Sequence, residues 1–233
     1  MIGRCARALF WTLLSGASAY AHDVITTKIT WNREIIRILN THCLSCHQPG
    51  GSAFSLTTYN DARPWAKAIQ EEVLERRMPP WGAVKGFGDF RNDKALTAEQ
   101  LEVIAEWVDG GAPEGEDKDL PRNLKIPEPG NAPPLPGEGI RASGDFQLAA
   151  EFMLDAIYLE AVPVNTSFQL IAVLPNGSVQ PLLWQLPYRA VSTRRFELRA
   201  PLSLPKGALI QGIPSGVTLL FTRPAAVAPP PIP

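Results

Sequence analysis

The sequence predicts a multi-domain chain, with a mainly α domain followed by a small all-β antiparallel sandwich-like domain. Three observations predict it. Before residue 121 the apolar residues recur at helical spacing, whereas after residue 141 they alternate with polar neighbours. Between them, PRNLKIPEPGNAPPLPGEGIR is too rich in Pro and Gly for a regular element and reads as a semi-rigid linker. The expected boundaries are 1–21 leader, 22–120 helical domain, 121–141 linker, 142–222 β-domain and 223–233 Pro-rich tail.

The leader is MIGRCARALFWTLLSGASAYA. Arg4 and Arg7 precede an apolar run, and small residues ending at Ala19 or Ala21 close it, which is the pattern of a secretory signal peptide. The run falls short of the ~20 apolar residues a membrane span needs. A mature chain starting near Tyr20 or His22 is therefore expected outside the cytoplasm, in the periplasm or otherwise exported, with no membrane span. At 45% hydrophobic and 19% charged the chain is globular rather than disordered. Net charge is −1, and −3 once the two leader arginines are removed, which excludes a nucleic-acid footprint.

The first helix is expected over TWNREIIRILN, with Thr30 as N-cap and Ile35, Ile36, Ile38 and Leu39 on one face. The second spans NDARPWAKAIQEEVLERRM. There Asn60 or Asp61 caps, Pro64 occupies the first turn, and Pro79-Pro80 ends the helix. The third starts at a capping box, Thr97-Ala98-Glu99-Gln100, carries Leu101, Ile104, Ala105 and Val108, and stops at Gly110-Gly111. The acidic run Glu114, Glu116, Asp117 and Asp119 reads as a solvated loop. In the β-domain, alternation marks strands near Phe146–Phe152 positions 146, 148, 150 and 152, near 168–174 and near 196–198. Pro175-Asn176-Gly177 and Pro205-Lys206-Gly207 mark turns.

Between the first two helices lies Cys43-Leu44-Ser45-Cys46-His47, the C-x-x-C-H spacing that attaches a c-type haem. Two cysteines three positions apart on one helical turn project to the same side, so both sulfurs reach the two vinyl groups of one porphyrin. His47 then falls beneath the iron as its proximal axial ligand. A thioredoxin-like dithiol gives the following histidine no role. A structural zinc site needs four ligands, and this chain has three cysteines, one of them, Cys5, in the leader. A helical domain of about a hundred residues is marginal alone, and a buried porphyrin would supply much of the missing apolar surface.

Four motifs stand in order: C-x-x-C-H-x-P-G at 43–50, Y-x-D-A-R-P-W-A at 59–66, M-P-P-W at 78–81 and W-x-x-x-G-A-P-x-G at 107–115. On these, residues 31–121 resemble the monohaem class I cytochrome c domain of bacterial secreted cytochromes. The resemblance implies one covalent haem c whose iron is ligated by His47 and Met78, with the Pro49 carbonyl orienting the histidine ring. Trp81, within M-P-P-W, is the candidate residue to pack against the cofactor or donate to a propionate, with packing the simpler role. Read from the residues alone, Trp65, Trp81 and Trp107 are core or haem-packing aromatics. Met153 and His42 are the other candidates for the sixth ligand. Residues 160–213 are similar to β-domains that accompany such cytochromes, some related to copper type II monooxygenases. The last histidine of this chain is His47, so copper has no ligand set in the β-domain.

The resemblance implies an exported electron carrier rather than a catalyst, one that passes single electrons between redox partner proteins. Two rivals stand beside it. One is an enzyme or gas sensor with a five-coordinate haem. The other is an electron-donating subunit docked through its β-domain to a periplasmic oxidoreductase.

Overall fold

The computed structural model describes residues 27–128 and 139–224. The leader, residues 129–138 of the linker and residues 225–233 of the tail lie outside the described residues.

A π-helical turn, Trp31–Ile35, runs directly into helix α1, Ile36–His42. Thr30 is its N-cap, its hydroxyl accepting from the Arg33 N–H at 3.3 Å. The second helical segment is α2, Tyr59–Ala62, a 3₁₀ turn, Arg63–Trp65, and α3, Ala66–Leu74. Thr58 caps it rather than Asn60 or Asp61, accepting from the Asp61 N–H at 3.1 Å. Pro64, which lacks an N–H, falls inside the segment and turns it to 3₁₀ there. The segment ends four residues before Pro79, because Arg76 takes a left-handed φ of 53° and the N–H groups of Arg77 and Met78 fold back to the Glu72 carbonyl. Helix α4, Ala98–Asp109, has both capping-box bonds, between Thr97 and Gln100.

After the linker come eight strands, β1 Ile140–Ala142, β2 Phe146–Gln147, β3 Phe152–Ala161, β4 Phe168–Val173, β5 Val179–Gln185, β6 Arg195–Leu204, β7 Leu209–Gln211 and β8 Thr218–Thr222. They form two antiparallel four-stranded sheets, ordered β1-β8-β3-β6 and β2-β7-β4-β5. β3 lies between β8 and β6 and is buried over 156–159 without a break, so it carries no polar alternation there. Pro181 sits in β5, an edge strand, opposite a register shift at Leu170/Ile171, where its missing N–H is tolerated.

The expected fold class is corrected by this architecture. The described residues are mostly β, with helix at 23% and only in short segments, so residues 27–120 are not a mainly α cytochrome c domain followed by a small β appendage. The physical reason is local and tertiary together. The π turn, the 3₁₀ turn and left-handed Arg76 keep the helices short. Meanwhile the apolar residues Trp81, Ala83, Phe90 and Ala95 pack into the core of the sandwich. A separate core, built on Trp31, Ile35, Leu39, Ile104 and Trp107, holds the helices together.

Residues 83–92 lie along both sheets. Ala83 bridges Gln185 on edge strand β5, and Phe90 bridges Leu198 on edge strand β6. Edge strands present unpaired backbone groups, and this segment satisfies part of each edge. Arg91 fastens it with ion pairs to Asp155 at 3.1 Å and Glu197 at 2.8 Å.

His42, at the end of α1, is buried in a neutral network. Its Nδ1–H donates to the Lys94 carbonyl at 2.9 Å, so Nε2 is left to accept from the Gln100 amide at 3.2 Å. Burial, followed by the charges of Lys94 and Lys85, holds its pKa below the usual histidine value. A depressed base binds fewer protons folded than unfolded, so its contribution is complete above the unfolded value of about 6.5 and is lost as pH falls below it. His42→Gln should flatten unfolding free energy against pH in that window, by up to ~1.4 kcal/mol per pH unit. Denaturant titrations at several pH values would read this, and an unchanged slope would refute the assignment.

Candidate functional site

The C-x-x-C-H segment follows α1 as a tight turn. The N–H groups of Cys46 and His47 both donate to the Cys43 carbonyl, at 3.0 and 2.9 Å. The chain then doubles back over the turn, Ala53 N–H to Cys46 carbonyl and Leu56 N–H to His47 carbonyl. Gly51 permits this close approach, since a Cβ there would lie 2.3 Å from the Cys46 carbonyl oxygen. Gln48 ties the turn to the start of the linker by donating to the Pro127 carbonyl at 2.6 Å.

Cys43, His47 and Met78 line one cavity of about 340 Å³, within the size range of cofactor sites. Its remaining walls are almost wholly apolar, including Leu39, Leu56, Ile69 and Val73, with Phe54 and Trp65 stacked on each other at 4.6 Å. Both rings are about half exposed, which is costly for large aromatics unless a ligand covers them. Glu72 is the one ionisable carboxylate in the wall, and its bond from Arg77, at 3.0 Å, holds its pKa below the usual range.

His47 Nδ1 lies 3.0 Å from the Phe54 carbonyl. A carbonyl only accepts, so Nδ1 carries the proton and Nε2 keeps the lone pair a metal needs. The resemblance gave that orienting role to Pro49. In the structure Phe54 performs it, because the chain folds back at Gly50-Gly51 and brings residue 54, not 49, to the ring. The Phe54 ring also meets His47 edge-on at 5.0 Å.

The two thiols differ. Cys46 is exposed, whereas burial, with Cys46 next, pushes the Cys43 thiol up to about 12. Among the described residues, no group of three or more His, Cys, Asp or Glu is placed to hold a metal ion. Haem iron asks for less, one imidazole and at most one further donor, and the cavity presents His47 and Met78. Its residues therefore fit a covalent porphyrin in donor set, in apolarity and in one wall thiol, Cys43, with Cys46 exposed on the adjoining turn.

The other expected residues are placed elsewhere. Trp81 is buried in the sandwich core, edge-on to Phe90 and Phe196 at 5.8 and 5.0 Å, and does not line the cavity. Met153 is exposed on β3, and His42 is engaged by Lys94 and Gln100. Phe54 and Glu72 are not singled out by the sequence, and neither leaves a local signal there; Gln48-Pro49-Gly50-Gly51 reads as a turn by composition and is one.

No family model, curated protein or solved structure matches the chain. No helix among the described residues is long and apolar enough to cross a membrane.

Proposed function

We propose that the chain is an exported, periplasmic carrier of single electrons built on one covalent haem c, mounted on short helices fused to a β-sandwich. The observation that carries this reading is the convergence of Cys43, His47 and Met78 on one apolar cavity, with the His47 tautomer set for metal binding. The thiols of Cys43 and Cys46 would add across the two porphyrin vinyls. His47 Nε2 and the Met78 thioether would supply the axial pair, and the apolar walls would exclude water. Bound there, haem supplies an Fe(III)/Fe(II) couple that accepts one electron from a donor protein and yields it to an acceptor.

The four ordered sequence motifs support the same conclusion independently of the cavity. The test is direct. Protein purified from an exporting, haem-maturing host should carry one haem per chain that survives acid-acetone extraction and titrates as a single one-electron couple. Recovery of folded, exported protein without haem would overturn the proposal.

A further inference from the structure

We propose that the β-sandwich is the positioning element for the Met78 thioether, and that Trp81 is the residue through which it acts. The inference rests on the haem reading above and adds to it what holds the distal ligand in place.

Met78 leaves α3 with only its N–H fixed, at 3.0 Å from the Glu72 carbonyl. The residues that follow it, up to Val84, are tied to the sandwich. The Pro80 carbonyl accepts from Thr193 N–H at 2.6 Å, the Gly82 carbonyl from Leu186 N–H at 2.7 Å, and Val84 N–H donates to the Trp184 carbonyl at 2.9 Å. Upstream, Arg189 reaches the Arg77 carbonyl at 3.4 Å. Between these ties the Trp81 side chain is buried among Phe90 and Phe196.

The void left around Met78, Pro79, Trp81, Gly82 and Leu186 is about 30 Å³. The backbone of this junction packs closely against the sandwich. Gly82 shows how close it is: at φ 79° a Cβ would lie 2.7 Å from the Gln185 amide nitrogen. Met78 is thus three residues from an indole locked into a β core, and displacing the indole must move the thioether or strain the three peptide units between them. Close-packed interfaces transmit such shifts instead of absorbing them.

The test uses full-length holoprotein and three variants. Trp81→Leu removes the anchor, Thr193→Pro removes one donor to the Pro80 carbonyl, and Phe146→Leu loosens the sandwich core at the Phe146–Phe221 contact, far along the chain from the clamp. In Trp81→Leu and Thr193→Pro the red-end absorption band of iron–thioether bonding should fall by about half or more, carbon monoxide binding should become readily detectable, and the potential should drop, with covalent haem still at one per chain. Trp81→Phe should restore most of the band. Phe146→Leu should keep the wild-type band although its unfolding midpoint falls. Wild-type band and potential in a folded Thr193→Pro, or equal band loss in Phe146→Leu, would overturn the inference. Absence of covalent haem from the wild type would instead remove the reading on which it rests. If Trp81→Leu does not fold, Thr193→Pro against Phe146→Leu decides alone.

Discussion

Replacing Cys43 and Cys46 together by alanine should take acid-stable haem from one equivalent per chain to none, while export proceeds. The size of the effect follows from the bond type. A thioether is covalent and survives denaturation, whereas the His47 and Met78 contacts are coordinate bonds that acid breaks by protonating the imidazole. Single replacements separate the two sulfurs. Cys43 is part-buried in the cavity wall beside Leu39, and Cys46 is exposed, so Cys46→Ala should retain a singly attached haem more often than Cys43→Ala. Haem staining after denaturing electrophoresis reads all three variants. One full equivalent in the double variant would sink the attachment site.

The parts of this molecule that were legible in the sequence are those decided within a few residues. The Thr97–Gln100 capping box and the Thr30 N-cap are formed as expected because donor and acceptor lie within one turn of each other. The C-x-x-C-H spacing has the same local character. What escaped is set by contacts distant in sequence. That Trp81 and Phe90 belong to the sandwich depends on the pairing of Ala83 with Gln185 and of Phe90 with Leu198, about a hundred residues away, and nothing in M-P-P-W announces it. The mainly α expectation failed for that reason, since residues 81–95 were counted with the helices. Over 156–159 strand β3 carries no alternation because it is buried on both faces there. The Phe54 carbonyl was invisible as well, since a backbone acceptor has no residue signature and its place depends on how tightly the chain turns at Gly50-Gly51.

Met78→Ala tests the other half of the axial pair, and it should convert a carrier into a ligand-binding haem. His47 and Met78 are 31 residues apart, yet they line the same cavity because α3 reverses at Arg76 and returns residue 78 toward α1. A neutral thioether stabilises the ferrous state, so its loss should lower the potential by on the order of 0.1 V, a fraction of the ~0.8 V range that axial ligands command. The red-end band should disappear, and ferrous protein should bind carbon monoxide at the vacated position. Covalent haem should remain at one equivalent, since Cys43, Cys46 and His47 stand on a separate turn held by its own backbone bonds. Met153, exposed on β3, makes an internal control: Met153→Ala should leave band, potential and carbon monoxide behaviour unchanged. The same spectra discriminate the five-coordinate rival. A wild type that binds carbon monoxide freely and shows no thioether band, with Met78→Ala indistinguishable from it, would assign the chain to haem enzymes or gas sensors and leave Met78 as a wall of the pocket.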